Sequence, residues 1–311
     1  MTRIGFLGPP GTFGEEALLT QSDLAGAELV PIRTMLDVLA STQRGEVDLG
    51  FVALENSIDG TVNESLDSLI FERDVFIQRE VILRISLHLL APPGTALADL
   101  REIYSYPKAL AQCRSFLADR LPGVEVHAAT STAEAVRHVG VDRPPHAAAV
   151  GTALAGRLYG LDLLESEIED HPDNATRFVL VAPNGSPGCV PEPTGHDKTS
   201  IVCFQQADRP GSLLSILSEF ASRNINLTKL ESRPTRRGLG DYCFIIDLEG
   251  HVADEVVADC LRNLHAQLAE LKFLGSYPAA SEHAPALRRE AEASWQAAEG
   301  WIASIRDQIR R

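Results

Sequence analysis

The segment His171-Pro-Asp-Asn-Ala-Thr-Arg-Phe178 sets a hydroxyl beside a guanidinium, just before the apolar run 178–182. A Pro-Asp-Asn loop signal followed by such a run reads as a loop entering a buried strand. Thr176 can donate one hydrogen bond, and Arg177 can hold a carboxylate through two parallel N–H groups. The same residues also suit an ordinary strand entry, so their meaning depends on partners elsewhere. Glu55-Asn56-Ser57, followed by Gly60-Thr61-Val62, closes the apolar stretch 47–54. Polar residues at the carboxyl ends of strands are where open α/β sheets bind ligands. Ser105 stands before Tyr106-Pro107 and a helical stretch holding Gln112, so it suits a ligand or a helix N-cap. The turn Gly8-Pro-Pro-Gly-Thr12-Phe-Gly14 is either an anion cradle of backbone N–H groups or a tight turn capped by Thr12. It has neither the GxGxxG spacing nor the Gly-Lys-Ser/Thr ending of a phosphate loop.

These clusters need a scaffold of alternating strands and helices. Strands are expected over 3–7, 28–32 and 47–54, with helices over 15–19 and 34–43. A long β-type run covers 75–91; His88, among leucines, reads as a structural histidine. Further strands at 102–104, 124–128 and 147–151 alternate with helices at 108–120, 132–139 and 152–159. The chain then returns at 171–182. This predicts one lobe from about 1–76 and 160–185, and a second from about 77–159. Two connections would cross the cleft between them, a usual place for a small ligand and a hinge.

Residues 186–197 lie in a Pro/Gly-rich linker. Residues 198–278 then read β-α-β-β-α-β, a ferredoxin-like module in which Gly211 lets a loop approach the first helix closely. In the tail, 279–311, Trp295, Ala298, Ile302, Ile305 and Ile309 repeat at helical spacing. That predicts an amphipathic helix docked on another surface or subunit.

The chain has 311 residues, 44% of them hydrophobic, and a formal net charge of -15. Such a charge repels phosphate backbones and argues against nucleic acid as a partner. The five cysteines are scattered without a CxxC pair, so neither a zinc site nor a disulfide framework is expected. There is no secretory h-region and no apolar run of membrane-spanning length, so the expected location is the cytoplasm, away from any membrane.

Taken in order, Gly8-Pro-Pro-Gly-Thr-Phe13, Glu55-Asn-Ser57 with Gly60-Thr-Val62, Ser105-x-Pro107 with Ala109-Leu-Ala-Gln-Cys113, and Thr176-Arg-Phe178 resemble the motifs of the prephenate dehydratase family. Residues 198–278 resemble an ACT regulatory domain, with Asp208-Arg-Pro-Gly-Ser-Leu-Leu214 similar to its ligand loop and Glu231-Ser-Arg-Pro234 to its second phenylalanine-binding motif. The resemblance implies an α/β fold: a two-lobed periplasmic-binding-protein-like catalytic domain over 1–185, then the ACT module and the helical tail. It implies conversion of prephenate to phenylpyruvate in phenylalanine biosynthesis, a carbon–oxygen lyase reaction with no cofactor and no metal. Thr176 is then the donor to the leaving hydroxyl and Arg177 the carboxylate partner. Asn56, Ser105 and Gln112 orient the substrate, Glu55 is a proton relay or an anchor, and Thr12, Ser57, Thr61 and Phe178 line the site. Phenylalanine, as effector, would touch Pro210, Gly211, Ser212, Leu213, Leu214, Glu231, Ser232, Arg233 and Pro234 between modules of a homodimer or homotetramer. Two departures stand out. Tyr106 and Lys108 replace a His and a Gln common among relatives, and Ser212 replaces an alanine. Arogenate is the alternative substrate, and a non-catalytic two-lobed sensor the alternative class. No helical segment precedes residue 3, so a fused chorismate mutase is not expected.

Overall fold

The computed structural model describes residues 1–24, 26–205, 209–236, 238, 241–280, 300–302, 304–306 and 308. The chain divides into two compact units. Unit one comprises Met1–Ser68 and Val81–Pro183; unit two comprises Leu69–Glu80 and residues from Asn184 onward.

The chain begins β1 (Arg3–Leu7), α1 (Phe13–Leu19), β2 (Glu28–Ile32), α2 (Met35–Gln43), β3 (Leu49–Asn56), β4 (Gly60–Thr61), α3 (Asn63–Phe71) and β5 (Val75–Arg84). It continues with β6 (His88–Ala91), β7 (Glu102–Ser105), α4 (Pro107–Gln112), α5 (Arg114–Arg120), β8 (Glu125–Ala128), α6 (Thr132–Asp142), β9 (Ala147–Gly151), α7 (Ala153–Tyr159), β10 (Asp162–Glu165) and β11 (Ala175–Pro183). One sheet has the order β2-β1-β3-β11-β5 with β4 against β3; the other has β10-β6-β9-β7-β8. In the first sheet β1 runs parallel to β2 and β3, and β11 runs antiparallel to β3. α1 covers this sheet with Ala17 and Leu18, which pack with Phe6, Phe51 and Phe178. Thr12, Thr34, Ser131 and Thr152 cap α1, α2, α6 and α7 through their hydroxyls.

Several expected boundaries move. The run 75–91 is two strands, because β5 belongs to the first sheet and β6 to the second. At the break the backbone finds partners in the returning connection: Ile85 N–H donates to the Asn174 carbonyl at 2.8 Å, and Leu87 N–H to the Glu169 carboxylate at 2.9 Å. β10, unforeseen, forms an edge of the second sheet. By sheet membership the crossings therefore lie at 85–87 and 166–174, later than expected. The helix expected over 108–120 breaks at Cys113, whose side chain is buried in the second lobe's core. Thr176 and Arg177 sit inside β11, and Glu55 and Asn56 inside β3, rather than in loops.

Unit two contains β12 (Asp197–Phe204), α8 (Ser212–Ala221), β13 (Leu227–Pro234), β14 (Tyr242–Glu249), α9 (Glu255–Gln267) and β15 (Glu270–Pro278). The order β13-β14-β12-β15 is an antiparallel ferredoxin-like sheet, as expected. Ile216 and Phe220 of α8 and Val257, Cys260 and Leu264 of α9 pack on Ile201, Cys203, Ile246 and Leu248. Residues 69–80 join this unit. Phe76 meets Phe273 edge-on at 5.3 Å, and Lys272 donates to the carbonyls of Leu69, Ile70 and Arg73 at 2.7–2.9 Å. The charge of Lys272 thus closes the C-terminal end of α3, where carbonyls lack helical partners. The amphipathic helix expected in the tail, Trp295 included, lies outside the described residues apart from 300–302, 304–306 and 308; Trp301 is exposed. No helix among the described residues is long and apolar enough to cross a membrane.

Candidate functional site

Unit one holds a solvent-open cavity of about 370 Å³ between its two sheets' loops and strand ends. Leu7, Phe13, Phe51, Ala53, Leu87 and Phe178 make much of its wall apolar. Phe51 and Phe178 stack at 5.3 Å with their planes 9° apart. Thr12, Asn56, Gln112, Asn174 and Thr176 supply polar groups to the same wall.

A break in strand register decides which residues face the cavity. Thr176 pairs with Asn56 and Arg177 with Glu55, but Phe178 pairs with Ala53, leaving one extra residue in β3. Side chains alternate across a strand, so Phe51 and Ala53 would be followed on that face by Glu55. The bulge shifts the count by one, and Asn56 lines the cavity instead. Across from it, Thr176 and Phe178 share a face while Arg177 turns to the other.

The polar groups form one chain of hydrogen bonds. Asn56 Nδ2 donates to Thr176 Oγ1 at 2.9 Å and to Asn174 Oδ1 at 2.8 Å. Asn56 Oδ1 accepts the backbone N–H groups of Ile58 and Asp59, both at 2.9 Å, which fixes the sense of the amide. Asn174 Nδ2 donates to Gln112 Oε1 at 3.1 Å. The chain therefore links α4 of the second lobe, the returning connection and both strands of the first. Thr176 accepts from Asn56, so its own proton is available to an acceptor in the cavity. Asn174 is 2% exposed and was not among the expected site residues. Its only sequence signal was a place in the His-Pro-Asp-Asn loop, where asparagine is common for turn reasons alone.

Five expected residues do not line the cavity. Arg177, with its side chain 11% exposed, has Nη1 3.9 Å from Glu55 Oε2 on the other face of the strand pair. Of the two roles left open for Glu55, anchor fits this pairing. Ser105 is fully buried and donates to the Val150 carbonyl at 2.6 Å, tying β7 to β9. It does not cap α4, whose N-cap is Tyr106 without a side-chain bond. Ser57 accepts the Ala175 N–H at 2.9 Å and donates to Asn174 Oδ1 at 3.4 Å, so it positions Asn174. Thr61 lies in β4, paired with Glu55.

The glycine-rich turn is a joint between lobes. Gly11 N–H donates to the Glu15 carboxylate, and its carbonyl accepts from Thr152 at 2.7 Å. Gly11 has φ +94°, and a Cβ there would lie 2.8 Å from Ala155 Cβ, so only glycine fits. Thr12 donates to the Leu7 carbonyl and caps α1, which leaves its hydroxyl proton engaged although it lines the cavity. The turn is capped by Thr12, and the carboxylate that its Gly11 N–H meets is the chain's own Glu15.

Cys113, beside Gln112, is no nucleophile: burial first, then the charges of Glu169 and Asp170, push its thiol up to about 12. His88 accepts the Glu167 N–H at 3.2 Å, and burial holds its pKa below the ordinary value. No group of three or more His, Cys, Asp or Glu side chains among the described residues could hold a metal. What remains is a mostly apolar cavity with a buried hydroxyl donor, neutral amides, and Lys108 and Asp59 in its lining. That set can hydrogen-bond a polar group of a small molecule whose apolar part rests on the phenylalanines.

In unit two, Gly211 is the N-cap of α8 with φ +87°, and Ser212 Oγ donates to the Arg209 carbonyl at 2.8 Å. Leu213 is half-buried and Leu214 exposed. β13 is an edge strand whose burial alternates, with Glu231 and Arg233 on the covered face and Ser232 and Pro234 exposed. Arg233 donates twice to Glu231, at 2.8 Å. Asp208 of the expected ligand loop lies outside the described residues.

A family model described as prephenate dehydratase matches residues 4–186, and an ACT domain model matches residues 199–266. The chain is 44% identical over 291 residues to the prephenate dehydratase of Mycolicibacterium vanbaalenii, covering 89% of this chain and 91% of that protein. It is 40% identical over 309 residues to the prephenate dehydratase of Amycolatopsis methanolica, covering 98% of each. Among solved structures, a prephenate dehydratase from Arthrobacter aurescens in complex with L-Phe matches with a TM-score of 0.89 at 38% identity. That match covers 98% of this chain and 100% of the other.

Proposed function

The chain belongs to the prephenate dehydratase family, and on that premise we propose that it converts prephenate to phenylpyruvate in the unit-one cavity. In this reaction the ring carboxylate leaves as carbon dioxide. The electrons of its C–C bond enter the ring as the opposite C–O bond breaks, and the departing hydroxide takes a proton to leave as water. The observation that carries the reading is the buried Thr176 hydroxyl, 8% exposed, accepting the Asn56 amide at 2.9 Å. A hydroxyl so held donates a hydrogen bond that strengthens as negative charge builds on the leaving oxygen. Threonine is too weak an acid to surrender its proton outright, so its part is electrostatic, with the proton coming finally from solvent. Gln112 and Asn174 extend the same neutral array across the ring. Neutral groups suit this chemistry, because tight pairing of the departing carboxylate would oppose its loss. The apolar wall favours the aromatic product and a neutral gas over the charged ground state.

Phenylalanine binds at the Gly211–Leu214 turn and the Glu231–Pro234 segment, between modules of two subunits, and lowers turnover. Leu214 is exposed and β13 lies at the sheet edge among the described residues, and both support this pairing. The test is phenylpyruvate formation from prephenate at neutral pH, with a no-enzyme control and arogenate in parallel. Turnover suppressed by phenylalanine is expected. No turnover of either substrate would leave a binding protein on this scaffold.

A further inference from the structure

We propose that Lys108 binds the substrate carboxylate that is retained in the product, and that Asp59 holds this lysine until substrate replaces it. The inference rests on the functional reading above and names the charge recognition within that site.

Lys108 and Asp59 are the only charged side chains among the described residues lining the cavity. Lys108 Nζ lies 3.6 Å from Asp59 Oδ2. The two come from opposite lobes: Lys108 from the first turn of α4, Asp59 from the turn between β3 and β4. The backbone of Asp59 is bound by Asn56 Oδ1, so the acid is placed by the same amide that holds Thr176.

A dianion seated against phenylalanine and neutral amides loses hydration, and a cation at the cavity offsets part of that cost. Arg177, the expected partner, faces Glu55 instead. Lys108 is the cation that remains. Its side chain is 59% exposed and that of Asp59 35%, so their mutual attraction is weak and another carboxylate displaces Asp59 at small cost. A flexible ammonium with rotatable donors suits such an exchange better than a rigid guanidinium would.

The choice between the two substrate carboxylates follows from their fates. One loses its charge in the transition state, and a cation on it would stabilise the ground state more. The side-chain carboxylate keeps its charge throughout, so a cation on it strengthens binding without slowing the chemistry. Lys108 therefore acts on KM and not on kcat.

The experiment compares wild type, Lys108→Met, Lys108→Arg and Asp59→Asn with prephenate at two ionic strengths, with thermal unfolding recorded for each. Lys108→Met is expected to raise KM about 10-fold or more, with kcat within about 3-fold of wild type. Lys108→Arg keeps KM within about 3-fold, and Asp59→Asn gives a KM at or below that of wild type because the competing carboxylate is gone. Added salt raises the KM of wild type more than that of Lys108→Met. An unchanged KM in Lys108→Met, while wild type turns over prephenate, overturns the inference alone. A KM in Asp59→Asn that rises as much as in Lys108→Met also overturns it, since the pair would then be a clasp between lobes. An inactive wild type overturns the functional reading and this inference with it.

Discussion

Asn56 and Thr176 face each other across the β3–β11 pair, and the Asn56 amide donates to the Thr176 hydroxyl at 2.9 Å. Two functions follow from one bond: the hydroxyl is oriented, and its own proton is directed elsewhere. Thr176→Ala is expected to lower kcat by about 10²–10³-fold, the usual loss when one donor to a developing oxyanion is removed. Thr176→Ser retains most activity. Asn56→Ala costs about 10–10²-fold, and the double variant is less impaired than the product of the two losses, because both residues act through one hydroxyl. Steady-state kinetics with prephenate would measure all four variants, and an undiminished kcat in Thr176→Ala would demote it to a strand residue.

Arg177 and Glu55 meet on the face of the strand pair turned from the cavity. Arg177→Ala is therefore expected to cost stability, about 1–3 kcal/mol for a mostly buried charged donor. The folded variant keeps its KM for prephenate within about 3-fold. Urea unfolding and substrate kinetics on the same preparation separate the two effects. A KM raised 10-fold or more, with stability intact, would return the guanidinium to the substrate.

His88 gives the fold a pH dependence whose sign is set. Burial lowers its pKa, and its Nδ1 must be unprotonated to accept the Glu167 N–H. The unfolded chain takes up a proton near the ordinary value of about 6.5, before the folded chain does. The contribution of His88 is thus present above about pH 6.5 and lost as pH falls through the depressed folded value. Unfolding free energies at pH 7.5 and 5.5 should differ less in His88→Gln than in wild type; an equal difference would locate the acid sensitivity elsewhere.

Four of the five cysteines are buried, and Cys189 is half-exposed. Burial is the first cause that raises the thiols of Cys113, Cys203 and Cys260 to about 12, so thiolate is scarce at neutral pH. A thiol reagent at pH 8 is expected to label one cysteine rapidly in the native protein and all five in denaturant. Rapid native labelling of Cys113, read by mass spectrometry, would show that the α4–α5 break opens.

Much of the architecture could be read from hydrophobic period alone. The β-α-β-β-α-β order of 198–278 and the threonine caps of α1 and α2 follow from local pattern and capping chemistry. Each of these depends on residues within a turn or two of one another. The break of 75–91 into β5 and β6 did not have that character. Its residues are uniformly suited to strands, and the break exists because Ile85 and Leu87 give their N–H groups to a segment more than 80 residues away.

Type, neighbours and motif singled out Thr176, Asn56 and Gln112 as candidates, and all three line the cavity. Tertiary structure decided which of their neighbours joined them. One extra residue in β3 turned Asn56 toward the cavity and left Glu55 and Arg177 behind it. A hydrogen bond to Val150 drew Ser105 into the sheet, and a connection from the far lobe delivered Asn174 to both Asn56 and Gln112. The reason is geometric. Strand parity depends on the partner's register, and a bulge is a property of the pair, so neither is written in either strand alone.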